Sequence, residues 1–208
     1  MEQGQETAKA VRNRGAAPLV MPAIELMPPP EPARLREAVQ RLESYDWVVF
    51  TSANGVDATL RALDEAGRDV RAFGHAKLAA IGPKTAQALR CASLKADLVA
   101  ERFVAEVLAA ELLATSPTPQ RVLLLRALVA REVLPERLRA EGVQVDVVPA
   151  YQTRPVSGAA QRALRELIEK RHVDAVLLTS SSMVDSLCAA LGEEAPRLLE
   201  REIGRAHV

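Results

Sequence analysis

Hydroxyl side chains occur twice in this sequence directly after a short apolar segment. Thr51 and Ser52 end the first such segment, and Thr179, Ser180 and Ser182 end the second. A hydroxyl between a strand and a helix can cap the helix, or it can bind an anion beside the unpaired N–H groups of the first helical turn. The two segments are separated by about the length of one domain, which favours a binding role repeated in two similar lobes.

Two cations and a further hydroxyl follow other apolar segments. Lys84 and Thr85 occupy the predicted first turn of a helix that begins at Pro83, and Arg126 ends the segment 122–125. A lysine in a first turn opposes the helix dipole, so it is either an ordinary surface cation or the partner of a bound anion. The glycine-rich phosphate-binding motifs do not occur in the sequence, which argues against a nucleotide ligand.

The intervening elements alternate regularly between strand and helix. Such alternation predicts a parallel, doubly wound α/β sheet, and right-handed crossovers place every strand-to-helix loop at one edge of it. The predicted strands lie near residues 46–50, 78–81, 95–99, 121–125 and 143–148. The predicted helices between them lie near residues 54–66, 84–91, 103–114 and 130–141.

Outside this block the pattern is less regular. A helix is predicted near 3–14, and the proline-rich segment 18–27 is extended and could pair with 143–153 as a two-stranded bridge. Further helices near 159–171 and 182–191 enclose a predicted strand at 175–178. The sequence thus predicts two lobes connected by the bridge.

The charge balance, the amino terminus and the cysteines argue against several classes of protein. The 208 residues contain 27 Lys and Arg against 27 Asp and Glu, so no net basic field attracts nucleic acid or an anionic membrane. The polar amino terminus lacks the apolar segment of a signal peptide, and no apolar run has membrane-spanning length. Two cysteines without metal-type spacing suit a reducing compartment. We therefore predict a cytoplasmic, monomeric protein with a small-molecule ligand.

Taken together, five stretches resemble uroporphyrinogen-III synthases. They contain Thr-Ser-Ala-Asn-Gly-Val, Ile-Gly-Pro-Lys-Thr-Ala, an Arg-Glu-x-Leu core, Ala-Tyr-Gln-Thr and the second Thr-Ser segment, in the order and spacing of that family. The stretches are residues 45–56, 80–86, 123–138, 147–153 and 174–184.

The resemblance implies two flavodoxin-like parallel-sheet lobes joined by a two-stranded ladder. The second lobe would span 32–142, the ladder would combine 18–31 with 143–155, and the first lobe would combine 1–17 with 156–208. The first lobe is predicted to be incomplete, since the family's opening Thr-Arg strand and the elements that follow its last Ile-Gly loop do not occur. We therefore expect the second lobe to be stable and the first to be poorly packed.

The resemblance also implies an activity. Members of the family convert the linear tetrapyrrole hydroxymethylbilane into uroporphyrinogen III, with loss of water and inversion of the last pyrrole ring, and they need neither a metal nor a cofactor. Tyr151 matches the tyrosine that assists departure of the hydroxyl, although an amphipathic residue packed at the lobe junction is the alternative. Family positions lining the cleft fall on Thr51, Ser52, Thr85, Ser180 and Ser182. Lys84 and Arg126 are added from their positions as partners for substrate carboxylates.

Two other functions compete with this interpretation. A truncated, non-catalytic synthase-like module could bind a small polyanion or a partner protein, and the incomplete first lobe favours that hypothesis. A phospho-ligand enzyme of flavodoxin-like fold comes third, because the sequence lacks a phosphate-binding loop.

Overall fold

The computed structural model describes residues 2–22, 24–100, 105–156, 158–170, 172–178, 181–195 and 197. Its α-helices are Glu2–Arg12 (α1), Pro32–Gln40 (α2), Ala53–Glu65 (α3), Pro83–Cys91 (α4), Ala105–Leu113 (α5), Val133–Ala140 (α6), Ala159–Glu169 (α7) and Ser181–Leu191 (α8). Its strands are Ile24–Met27 (β1), Trp47–Phe50 (β2), Lys77–Ile81 (β3), Leu98–Ala100 (β4), Arg121–Ala127 (β5) and Gln144–Pro155 (β6).

These six strands form one sheet in the order β1-β6-β5-β2-β3-β4. Strands β2 to β6 are parallel to one another, whereas β1 pairs with β6 in the antiparallel direction. All four residues of β2 are buried, as expected for a central strand with helices on both faces. The predicted α/β class with a parallel sheet is confirmed.

The strand order places a topological switch point between β2 and β5. From β2 the chain continues through α3 to β3 on one side, whereas from β5 it continues through α6 to β6 on the other side. Counted from β2, the order is 3-2-1-4-5, a doubly wound arrangement in which the connections diverge at this point. Ligands of such sheets bind in the crevice at the carboxyl ends of the two diverging strands.

The core lies on both faces of the sheet because side chains alternate along each strand. Val48 and Phe50 pack with helices α2, α3 and α4, whereas Trp47 and Val49 pack with α5 and α6. The leucines of β5 alternate in the same way, with Leu123 and Leu125 on the first face and Leu124 on the second. The result is a three-layer lobe with β2 and β5 at its centre, which fixes where the two strands end.

The chain divides into two compact units, Met27–Thr153 and a second unit that combines Met1–Leu26 with Arg154–Val208. We call these the larger and the smaller unit. In the smaller unit Ile168 of α7 packs with Leu187 and Leu191 of α8. No helix among the described residues is long and apolar enough to cross a membrane.

Three sequence predictions differ from the structure. Residues 175–178 are not a strand, and no strand pairs with them in the part of the chain that the structure describes. Val176 and Leu178 instead pack against the apolar cluster between α7 and α8. The strand predicted at 95–99 is β4, which is shorter and begins later. The extended segment near the prolines forms only the four-residue strand β1, while β6 continues to Pro155.

A polar network joins the strands at the amino edge of the sheet. The Tyr45 hydroxyl donates to Asp146 Oδ2 at 2.7 Å, and Arg121 pairs with the same oxygen at 3.1 Å. The Arg121 guanidinium also lies over the Tyr45 ring, 4.6 Å from its centroid. Burial alone would raise the pKa of Asp146, but the hydrogen bonds from Tyr45 and Arg121 outweigh it and lower that pKa. Burial is also the main reason that the pKa of Tyr45 is raised.

From this network we expect part of the free energy of unfolding to be lost at acid pH. A carboxyl whose pKa is lower in the folded chain stabilises the fold above its unfolded pKa, and that contribution is lost as the pH falls through the folded pKa. Because the Asp146 side chain is 39% exposed, we expect about 1 kcal/mol or less. Urea unfolding of Asp146→Asn and the unchanged chain should differ at neutral pH and converge in acid. A difference that persists in acid would contradict the assignment.

Candidate functional site

The site begins where β2 ends, because the chain there changes from a buried strand to helix α3. The Thr51 N–H donates to the Leu125 carbonyl of β5 at 3.3 Å, which ties this turn to the neighbouring strand. Ser52 is the N-cap of α3, and its Oγ accepts from the Gly55 N–H at 3.1 Å. The cap function considered for Ser52 is therefore present, and the Ser52 hydroxyl has capacity for further partners.

The Ser52 hydroxyl also meets Tyr151. Ser52 Oγ and the Tyr151 hydroxyl oxygen lie 3.0 Å apart, and either group can be the donor. Both residues belong to the larger unit, although 99 positions separate them in the sequence. A serine at the end of β2 and a tyrosine of β6 thus meet across the end of β5, beside the switch point.

A bulge in β6 directs Tyr151 towards this point. Arg126 of β5 is paired with Pro149, but the next residue, Ala127, is paired with Tyr151, so that one extra residue stands in β6. Since strand residues alternate between faces, a one-residue shift moves every later side chain to the opposite face. Val145 and Val147 pack on the α5–α6 face, whereas Tyr151 packs on the face of α2, α3 and α4. Without the bulge, Tyr151 would face away from Ser52.

The loop after β3 supplies two predicted site residues at the same edge. Gly82 has a positive φ of 79° and caps α4, and Pro83 occupies the start of that helix. Thr85 is buried, with 3% of its surface exposed. Lys84 is exposed and makes no ion pair among the described residues, so its ammonium group is available to a carboxylate ligand.

Arg126 has a different environment from the one the sequence suggested. Only 7% of the residue is exposed, and Nη1 donates to the Arg131 carbonyl at 2.9 Å. Its Nη2 forms an ion pair with the half-exposed Glu132, and its buried Nε has no partner among the described residues. The guanidinium charge is thus already matched by a protein carboxylate, which leaves it poorly placed to bind a carboxylate of the substrate.

The remaining predicted residues lie in the smaller unit. Ser180 lies outside the described residues, and Ser182 lies in the first turn of α8. The larger unit therefore brings Thr51, Ser52 and Tyr151 together at the switch point, with the Lys84–Thr85 turn on the neighbouring strand.

Sequence reasoning did not single out three features of the site. Gly55 donates to Ser52, Glu132 neutralises Arg126, and Leu128 and Val129 are exposed apolar residues in the β5–α6 loop. Two successive apolar residues between a strand end and a helix start were a detectable signal, since such loops are usually polar. The Arg126–Glu132 pair had no comparable signal, because nothing in a six-residue spacing predicts a contact.

The site can supply hydrogen bonds and weak acidity rather than a strong nucleophile. When the Ser52 O–H donates to the phenol oxygen, the Tyr151 O–H is available to a ligand, and the positive end of α3 lies behind the pair. No group of three or more His, Cys, Asp or Glu suited to a metal occurs among the described residues. The geometry defines a doubly wound α/β protein with a hydroxyl site at its switch point.

Comparison with known proteins supplies the family. The family model described as uroporphyrinogen-III synthase HemD matches residues 5–205, nearly the whole chain. This chain belongs to the uroporphyrinogen-III synthase family, and the resemblance seen in the sequence is confirmed.

Two curated relatives illustrate the similarity. A uroporphyrinogen-III synthase from Synechococcus elongatus is 34% identical over 193 residues, covering 89% of this chain and 70% of its own length. A porphyrin biosynthesis protein HemD from Ruminiclostridium josui is 26% identical over 190 residues. That alignment covers 91% of this chain but 38% of the relative, so this chain spans well under half of the larger protein.

Solved structures show the same fold. A mutant uroporphyrinogen III synthase from Thermus thermophilus matches with a TM-score of 0.64 and 22% identity, covering 96% of this chain and 77% of that one. The wild-type protein in another crystal form matches with a TM-score of 0.55 and 24% identity, covering 96% of this chain and 78% of its own. At these identities the match supports the fold, while the family rests on the sequence.

Proposed function

We propose that this chain is a uroporphyrinogen-III synthase, a lyase that cyclises hydroxymethylbilane with loss of water and inversion of the last pyrrole ring. The single observation that carries the proposal is the hydrogen bond between Ser52 and Tyr151 at the switch point. It places a phenol, oriented by a second hydroxyl, in the part of the fold where ligands of doubly wound sheets bind.

Tyr151 is the proposed catalytic residue. Its O–H would donate to the departing hydroxyl of the substrate, and Ser52 would stabilise the developing negative charge on the phenol oxygen. Ser52 is suited to this task because its oxygen accepts from Gly55, at the positive end of α3. The reaction also requires that the linear substrate be held in a ring-like conformation, which is catalysis by orientation.

The substrate carries many carboxylates, and this chain has no net charge with which to attract them. We propose that Thr51 and Ser52 present hydroxyls to these groups and that Lys84 supplies a cation. The buried Thr85, in the same turn as Lys84, is proposed to line the site beneath them. Ser180 and Ser182, which belong to the smaller unit, are proposed as further hydroxyls for substrate carboxylates. Arg126 is proposed to hold the β5–α6 loop through Glu132 rather than to contact a carboxylate.

The remaining proposals concern the division of the chain into lobes, its oligomeric state and its location. We propose a ladder of residues 18–31 and 143–155 between a second lobe at 32–142 and a first lobe built from 1–17 and 156–208. We further propose that the chain acts as a cytoplasmic monomer, without a cofactor and without nucleic acid as a partner, because its balanced charge and apolar cores suit a small-molecule enzyme.

The proposed activity is tested by the isomer that forms. Hydroxymethylbilane closes unaided to the type I ring, whereas the synthase reaction yields type III. The purified chain should therefore convert freshly prepared bilane mainly into the type III isomer, as separated by chromatography after oxidation to uroporphyrins. Heat-denatured protein is the control, and type I as the sole product with native protein would refute the proposal.

A further inference from the structure

The β5–α6 loop presents an apolar surface at the candidate site. Leu128 and Val129 follow β5 directly, and their exposed fractions are 37% and 89%. We call these two residues the apolar tip. Scattered exposed apolar residues are ordinary on protein surfaces, but these two are consecutive and stand at the carboxyl edge beside the switch point.

The apolar tip is joined to the strand that carries Tyr151. The Leu128 N–H donates to the Tyr151 carbonyl at 2.8 Å, so the backbone of the tip continues the pairing between β5 and β6. Displacement of the Leu128 backbone would therefore break a hydrogen bond to the Tyr151 carbonyl. This contact joins the backbone of the apolar tip to the peptide group of the residue that carries the phenol.

A partly buried ion pair between Arg126 and Glu132 connects the two ends of the β5–α6 loop. Arg126 stands at the base of the loop, and its guanidinium binds both the Arg131 carbonyl and the Glu132 carboxylate at the start of α6. Because Arg126 is almost fully buried, it is a firm anchor for the segment 127–131. The loop is thus held at both ends, while the Val129 side chain is exposed to solvent. A ligand at this edge of the sheet could therefore pack against Val129 without moving the loop.

We propose that the apolar tip, and Val129 in particular, packs against the face of a pyrrole ring of the bound linear tetrapyrrole. This inference rests on the proposed function. The ligand it requires has apolar ring faces and carboxylates together, which matches an exposed valine at the same edge of the sheet as the hydroxyl pair and the exposed Lys84. Val129 is then a binding residue for the ring, while Tyr151 acts on the leaving hydroxyl.

The test compares Val129→Asp with the conservative Val129→Ile. If Val129 covers a ring, Val129→Asp should raise KM about tenfold, with kcat changed by no more than about twofold, because it removes apolar contact area and brings a like charge to a polycarboxylate. Val129→Ile should keep KM near its original value. Ala140→Asp is the matched control, since Ala140 is exposed at the far end of α6 and the substitution adds the same charge.

Binding of uroporphyrin III, followed by the polarisation of its own fluorescence, provides a second readout that needs no turnover. If the unchanged chain forms no type III product, the proposed function is refuted. The ring contact would still be supported if Val129→Asp, but neither Val129→Ile nor Ala140→Asp, binds uroporphyrin III more weakly than the unchanged chain. Equal KM values and equal binding for Val129→Asp, Val129→Ile and Ala140→Asp would overturn it. Equal losses in Val129→Asp and Ala140→Asp would also overturn it, because they would reflect charge alone.

Discussion

Replacing Tyr151 by phenylalanine is expected to lower kcat for type III formation by about 10²- to 10⁴-fold, the usual contribution of a positioned general acid. Phenylalanine keeps the ring and the backbone pairing with Ala127, but it removes the oxygen that lies 3.0 Å from Ser52 Oγ. The loss should therefore appear in kcat, while KM changes little. Product isomers separated over a time course measure the effect, since type I forms in the background.

The chain contains a matched control for this substitution. Tyr45 is the only other tyrosine in the sequence, and its hydroxyl bonds to Asp146 at the opposite edge of the sheet. Tyr45→Phe should lower the stability by about 1 kcal/mol and leave kcat unchanged. A Tyr151→Phe variant that retains full kcat, or a Tyr45→Phe variant that loses it equally, would show that Tyr151 is only a packing residue.

The largest expected loss of stability concerns Leu125. This residue of β5 is fully buried and packs in the cluster between the sheet and helices α2, α3 and α4. Leu125→Ala should lower the free energy of unfolding by about 2–5 kcal/mol, because the lost contacts add to the cost of the cavity. Urea titration followed by circular dichroism measures the difference.

Leu128 provides the comparison, since it is the same residue type three positions later. It is 37% exposed, and Leu128→Ala should cost about 1 kcal/mol or less. Equal losses for the two substitutions would contradict the assignment of Leu125 to the core and of Leu128 to an exposed loop. Leu125→Ala keeps the backbone carbonyl that accepts the Thr51 N–H, so the site turn should stay tied to β5.

The order of strands and helices was largely predictable from the sequence. Continuous apolar segments such as 48–50 and 122–125 are typical of strands buried on both faces of a parallel sheet, and glycine or proline marks the ends of several helices between them. The segment 175–178 shows the limit of that reasoning. It has the composition of a strand, but strand formation depends on neighbours that a local pattern cannot show.

The same limit applies to the charges. Arg126 was predicted at the correct edge from the end of its strand, but its pairing with Glu132 was not predictable. Whether a cation faces a ligand or a protein carboxylate depends on side-chain directions after the loop has closed. Lys84, which follows a strand further along the sheet, was placed by the same argument and has no ion-pair partner among the described residues.

From local pattern and the order of residues alone we could infer the family, the parallel sheet and the strand end that carries Thr51 and Ser52. Two features required the folded chain: the pair of strands that meets at the switch point, and the contact between Tyr151 and Ser52. That contact depends on one extra residue in β6, which turns Tyr151 to the face where α3 begins. A bulge of this kind arises from pairing between distant strands, so its effect on side-chain direction exists only in the folded sheet.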